Sequence, residues 1–379
     1  MNYFKVLLFL EKGNRDLFTY PKEEQIKFLN HLGVAGDDID RAYKQYLCQN
    51  QLVRPKWKIV FFNVIGAIAV PLTLSFFLIK RFFVRRAPSI SCLIEQKGMP
   101  EVVPVIVREK YHPSECYENG SSIGLDDISF VWRLLKKALR QPFFVFKALM
   151  NVAQYSHLIY KYSPSVMIQF GEFSFSGTIL TEYCHRHRIK HIDLMHGEKL
   201  FFIRDSYFHF DETYVWSQHY VDLLTKLKAE PTQFRIALPP SMQIDVERYN
   251  NPDVYSDYKY YLASFNEEEI KKVVDSMCFA KCKGKSVKFR PHPRYSDIGL
   301  LQKYVASSDI ENPREVSIQE SIANMSCAVG SYTTVLLQAY FSGRDVLLDD
   351  VTFKKQHDKL DELGYILSSV NCKCLSSLQ

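Results

Sequence analysis

At 379 residues, with 47% hydrophobic and 24% charged side chains, the chain is long enough for two ordinary domains and too apolar to remain disordered. A net charge of +6 is modest for this length, and neither a stacked-aromatic RNA motif nor zinc-finger spacing occurs, so no nucleic-acid partner is expected. The nine cysteines are odd in number and scattered. The opening run Met1-Asn-Tyr-Phe-Lys-Val-Leu-Leu-Phe-Leu-Glu11 has no cleavage site, and together these features predict free thiols in a reducing compartment.

Residues 1–86 read as an N-terminal helical region. One helix follows Pro21 and a second covers Asp37 to Gln51. Ile59 to Ile79 then runs without a charge, between Lys56 and Lys58 on one side and Lys80, Arg81, Arg85 and Arg86 on the other. That length reaches across a bilayer core, but Pro71 and the polar Asn63, Thr73 and Ser75 interrupt it. The expectation is membrane association, peripheral or monotopic, with a true span or a buried core helix as the alternatives. Arg133 to Arg140 and Pro142 to Lys147 mix cations with aromatics, which suits anionic headgroups or an ordinary amphipathic helix.

Residues 87–240 form the next domain by pattern. Val102 to Val107 is a β-branched strand candidate. Then Ser165–Phe170, Ile189–Met195, Glu212–Trp216 and Phe234–Leu238 read as strands, with helices at Gly177–His187 and Ser217–Lys228. A Pro, Asn and Asp-rich stretch at 241–257 reads as a linker. A second series over 258–379 has strands at Tyr258–Ala263, Ser286–Arg290, Cys327–Gly330 and Asp345–Leu348, and helices at Asn266–Lys281 and Thr334–Ser342. Strand and helix in turn predict an α/β protein of two Rossmann-like domains facing a cleft, with ligands outside the carboxyl ends of the strands.

The chemically suggestive residues stand at those strand ends. Arg290-Pro291-His292-Pro293-Arg294 puts an imidazole and two guanidinium groups on a loop stiffened by two prolines. Gly330-Ser331-Tyr332-Thr333-Thr334 places hydroxyls before a helix, where free N–H groups hold an anion. In the first half, Gly171-Glu172 follows one strand and His196-Gly197-Glu198 another. Glu172 also fits a helix-end carboxylate, and the hydroxyl cluster also fits an N-cap. The histidines His185, His187 and His191 stand among Arg186, Arg188 and Lys190, a setting that repels a cation. Cys278 with Cys282, and Cys372 with Cys374, lack common zinc spacing, so no metal is expected.

Over residues 165–350, about half the chain, these motifs resemble bacterial envelope-polysaccharide transferases of the GT-B fold. The resemblance is to the sialyltransferase and polysialyltransferase families with a His-Pro motif and a later Ser/Thr motif. It implies that His292 and Pro293, with Ser331, Thr333 and Thr334, contact the nucleotide of the donor, and that an acidic residue of the first half is the base. The acidic-acidic-Gly motif of those families has no equivalent here. Met195-His196-Gly197-Glu198 is similar to the His-Gly turn of capsule and teichoic-acid glycerophosphotransferases, where the histidine is the proposed base.

The expected activity is therefore an inverting, metal-independent glycosyltransferase at the cytoplasmic face of the bacterial inner membrane. It would move a sugar, sialic acid or a related acid sugar, from a nucleotide-sugar donor to a surface-polysaccharide or lipid-linked acceptor. Glu172 or His196 would be the base. His292 would stabilise the leaving phosphate, with Arg290, Arg294, Gly330, Ser331, Thr333 and Thr334 around the donor. The alternatives are a glycerol- or ribitol-phosphate transferase and a non-catalytic assembly partner.

Overall fold

The computed structural model describes residues 16–94, 99–116, 118, 120–370 and 372–378. The chain divides into two compact units. The first runs to His196 and resumes over Phe201–Ala237; the second comprises Gly197–Leu200 and the chain from Leu238 onward.

The first unit holds a six-stranded parallel sheet: β1 (Cys92–Ile94), β2 (Ser114–Glu115), β3 (Val166–Gln169), β4 (Lys190–Leu194), β5 (Glu212–Val215) and β6 (Phe234–Ile236). The order is β2-β1-β3-β4-β5-β6, so its direction of growth reverses between β1 and β3. Both faces are covered, as a parallel sheet requires: within β3, Met167 packs into one apolar cluster and Ile168 into another.

The N-terminal helices α1 (Lys22–Leu32), α2 (Asp38–Leu52) and α3 (Trp57–Arg81) belong to this unit. Asp37 caps α2 by accepting the N–H of Asp40 at 2.7 Å. Ile39 and Tyr46 of α2, with Phe62, Val70 and Phe77 of α3, enter the same core as the sheet. Val102 to Val107, predicted as strand, is instead the end of one short helix and the start of α4 (Val105–Tyr111). Pro104 supplies the fixed φ of a helix start, and Val103, Val107 and Tyr111 recur at a spacing of four to meet β1, β3 and β4.

Three more helices, α5 (Ile128–Lys137), α6 (Pro142–Tyr162) and α7 (Phe175–Arg186), complete this face, and α8 (Gln218–Lys226) follows β5. Of the two readings of Pro142 to Lys147, headgroup contact or an ordinary amphipathic helix, the second holds: Phe143, Phe144 and Phe146 of α6 are core residues. Phe144 stacks on Phe175 at 5.0 Å and meets Tyr46 edge-on. Gly66 is where α3 touches α6: a Cβ there would lie 2.5 Å from the Phe143 amide nitrogen.

The second unit has a five-stranded parallel sheet of β7 (Ser256–Tyr261), β8 (Val287–Arg290), β9 (Met325–Gly330), β10 (Asp345–Leu348) and β11 (Lys373–Cys374). The order, β8-β7-β9-β10-β11, reverses between β7 and β9. Its main helices are α9 (Glu267–Cys282), α10 (Ile318–Ala323), α11 (Thr334–Phe341) and α12 (Lys354–Glu362). Capping boxes start α9 at Asn266 with Glu269 and α10 at Ser317 with Glu320. The stretch predicted as a linker is fastened to this unit. Asn324 donates to the Tyr249 carbonyl at 3.0 Å, Gln338 to that of Ser241 at 2.8 Å, and β7 already begins at Ser256.

Candidate active site

In the second sheet, β8 and β9 flank β7, so the residues leaving their carboxyl ends stand two strand spacings apart, about 10 Å. The strand order reverses between β7 and β9, where open α/β sheets leave a crevice for ligands, and the His292 loop stands one strand beyond it. His292 leaves β8 and Ser331 leaves β9. The chain after β7 lies between them, and it is tied to the histidine loop: Ser296 Oγ donates to the Ala263 carbonyl at 2.7 Å and accepts the His292 N–H at 2.8 Å.

The His292 ring is fixed on two sides. Tyr295 stacks on it with centroids 4.5 Å apart, and its Nδ1 accepts the Arg294 N–H at 3.1 Å. Nδ1 is thus the unprotonated nitrogen, and Nε2–H is left to donate to a ligand. Partial burial, then the neighbouring Arg294 charge, pushes the imidazole below its ordinary pKa, which favours this neutral tautomer. Pro291 is buried, whereas Pro293 and Arg294 are exposed, and among the described residues Arg294 makes no ion pair.

After β9 the turn is tight. A Cβ on Gly330 would lie 3.3 Å from the Tyr261 carbonyl oxygen, and the Gly330 carbonyl accepts the Asp349 N–H at 2.8 Å. Thr333 is the N-cap of α11, its hydroxyl accepting from the Val335 N–H at 3.4 Å. Ser331 and Thr333 are half-buried and Thr334 is exposed. Capping and anion binding use the same geometry, so the N-cap role leaves the turn chemically suited to an anion.

Arg290 differs from its predicted role as a donor ligand. Its guanidinium turns inward, bonding Glu311 at 2.6 Å and the Val316 carbonyl at 2.8 Å, and only 7% of the residue is exposed. Glu311 also takes the buried Lys259 ammonium and the Ser321 hydroxyl. Burial works against the Glu311 carboxylate, but the two cations and the hydroxyl prevail and hold it below its usual pKa. Two cations on one carboxylate leave a net positive charge within the sheet. Lys259 and Glu311 are residues that sequence reasoning missed. The available signal was a lysine inside the aromatic strand Tyr258-Lys-Tyr-Tyr261, since a buried ammonium demands an acidic partner.

In the first unit, Glu172 and His196 follow the neighbouring strands β3 and β4, and the two residues meet. Glu172 Oε1 accepts the backbone N–H of His196 at 3.1 Å. Glu172 is fully buried, its carbonyl accepting from Gln45 of α2 at 3.0 Å, while the His196 side chain is exposed beside Phe170. Asp193, at the end of β4, accepts the Gly171 N–H at 2.8 Å and so fixes the loop that carries Glu172. Gly197 has a φ of +70°, a conformation that glycine adopts without strain.

The three clustered histidines have separate partners. His185 pairs with Asp211 at 2.8 Å, and His187 lies 3.6 Å from Asp127. His191 is buried between Thr181 and Tyr155. Asp38, Glu182 and His185 each bring one ligand atom within 4.8 Å of the others, but Asp38 already binds His209 and Glu182 binds Arg133. All nine cysteines are free thiols.

No family model and no curated protein matches this chain. Among solved structures, the UDP-GlcNAc 2-epimerase of Methanocaldococcus jannaschii aligns at 11% identity and a TM-score of 0.41, over 74% of this chain and 93% of that one. A variant of the wall teichoic acid polymerase TagF aligns at 10% identity and 0.39, over 71% and 72%. The calicheamicin glycosyltransferase CalG4 gives 10% and 0.41, over 74% and 84%. These likenesses are loose. The α/β class rests on the strand pairing itself.

Proposed function

We propose that the chain is a glycosyltransferase of the GT-B kind, using a nucleotide-activated sugar and inverting the anomeric centre without a metal ion. The observation that carries this reading is the placement of the His292 loop and the Ser331–Thr334 turn on either side of β7, beside the reversal point of the second sheet. A nucleotide held there would receive Nε2–H from His292, hydroxyls from Ser331, Thr333 and Thr334, and the dipole of α11. Arg294 would add charge from outside. Arg290 contributes through the inward-facing cluster.

The acceptor oxygen attacks the anomeric carbon as the bond from that carbon to the phosphate oxygen breaks. Of the two candidate bases for the acceptor proton, His196 has the exposed imidazole, and buried Glu172 holds its backbone N–H. The negative charge on the departing phosphate is met by His292 and the hydroxyl turn. The exposed His-Gly turn at 196–197 also suits transfer of glycerol or ribitol phosphate from a cytidine-diphosphate donor, in which the same histidine deprotonates the acceptor.

The acceptor would be a surface polysaccharide or a lipid-linked oligosaccharide at the cytoplasmic face of the bacterial inner membrane. The support is the outward apolar face of α3, of which Val60, Ile68 and Leu72 are each more than 60% exposed. The test is donor hydrolysis and thermal shift over a panel of nucleotide-sugars and nucleotide-alditols. A saturable stabilisation by one nucleotide, lost in His292→Ala and in the Thr333→Ala/Thr334→Ala double variant, is the expected result. No nucleotide response in the parent protein would end the proposal.

A further inference from the structure

The helix α3 buries Phe62, Gly66, Val70 and Phe77, the first two against Phe143 of α6, and its opposite face carries Val60, Val64, Ile68, Leu72, Phe76 and Ile79. That spacing of four, four, four, four and three is one continuous helical stripe, and each of the six is more than half exposed. Phe82 and Phe83 extend it, at 83% and 80% exposed. Because protein covers the inner face over this length, lipid cannot surround the helix, and an orientation in the plane of the interface accounts for both faces.

At the carboxyl end of this stripe lies a cavity of about 440 Å³. Its walls carry four cations, Lys80, Arg85, Arg86 and Lys161, with His157 and the single carboxylate Glu118. The carboxylate is already occupied: it accepts from Lys161 at 2.7 Å, His157 Nε2 at 2.9 Å and Tyr162 at 2.8 Å. Lys80, Arg85 and Arg86 are exposed, and among the described residues none of them has a carboxylate partner. The Lys80 ammonium lies over the Phe76 ring at 5.1 Å and the Arg86 guanidinium over Tyr160 at 5.3 Å, so both charges are held against aromatic faces beside the cavity. His157 is only 8% exposed, and its Nδ1 has no hydrogen-bond partner. Three cations without a carboxylate partner among the described residues, around one carboxylate that is already satisfied, leave the cavity net positive and suited to an anionic ligand.

We propose that this cavity binds the phosphate of a lipid headgroup while the α3 stripe lies among the acyl chains beside it. The phosphate would exchange its hydration for Lys80, Arg85 and Arg86, and the lipid tails would continue along Phe76, Ile79 and Phe83. The inference rests on the membrane attachment proposed above and is independent of the donor site.

The experiment is flotation of the full chain with phosphatidylcholine vesicles, with and without phosphatidylglycerol. The parent protein should prefer the anionic vesicles. Arg85→Ala/Arg86→Ala should lower that partition by about 25-fold, from about fivefold per cation near an anionic surface, while binding to neutral vesicles stays unchanged. Leu72→Ser/Phe76→Ser should weaken binding to both. Anionic partition of the arginine variant equal to the parent's would overturn the phosphate pocket alone. Vesicle binding unaffected by Leu72→Ser/Phe76→Ser would overturn the membrane attachment with it. Saturable calorimetric binding of inorganic phosphate that does not compete with vesicles would reassign the cavity to a soluble anion and overturn the lipid source. Nucleotide binding, read by thermal shift, should be the same in all of these proteins, which separates this test from that of the transferase reading.

Discussion

The carboxylate of Glu172 accepts the backbone N–H of His196 at 3.1 Å, joining the loops that leave two neighbouring parallel strands. The contact divides labour between two residues that composition treats as equal candidates for a base. One is buried and holds main chain; the other is exposed to whatever binds outside the sheet. His196→Ala should therefore lower kcat by 10²-fold or more with nucleotide affinity unchanged. Glu172→Gln, which retains an acceptor oxygen, should fall far less. Steady-state kinetics on both variants decides the matter, and a larger loss for Glu172→Gln would transfer the role of base to the carboxylate.

The buried cluster of Lys259, Arg290 and Glu311 gives a prediction about stability. Removing the single anion leaves two cations facing each other in the protein interior, so Glu311→Gln should cost about 3 kcal/mol. Adding Lys259→Met removes one of the stranded charges and should restore part of that loss. Urea unfolding of the parent, both single variants and the double variant measures the coupling. Simple additivity of the two losses would show that the groups do not act as a cluster.

His191 predicts how stability responds to acid. Its ring is enclosed between Thr181 and Tyr155, and burial drives its pKa down to about 3. The unfolded chain takes up a proton near pH 6.5 that the folded ring refuses. The stability associated with the neutral ring is therefore complete above about pH 6.5 and is lost progressively as pH falls toward 3. Between pH 7 and pH 5 the loss should be about 2 kcal/mol. His185, raised by Asp211, contributes with the opposite sign and is common to both proteins compared. His191→Gln should flatten the acid limb of the stability curve, as followed by urea midpoints at several pH values. An unchanged slope would mean that the ring is protonated in the folded state.

Much of the chain's local structure was legible because its signals are local. The capped start at Asn266, the hydroxyl turn after Gly330 and the strand–helix alternation from 165 to 348 all appear where the pattern puts them. The failures came where partners lie far off in sequence. Val102 to Val107 has strand composition, but the fixed φ of Pro104 and the core positions offered to Val103 and Val107 made it helical. The aromatics of 143–146 fit headgroup contact and an ordinary amphipathic helix alike until Tyr46 and Phe175 cover them.

By itself the sequence determined that the protein is α/β and which short loops bear imidazoles, hydroxyls and guanidinium groups, because backbone periodicity and turn chemistry act over a few residues. Only the tertiary structure decided that the His292 and Ser331 loops flank one strand, that Arg290 turns inward to Glu311, and that Glu172 is buried beneath His196. Strand order and charge pairing are settled by packing between distant segments, where burying an apolar face or neutralising a charge outweighs any local preference.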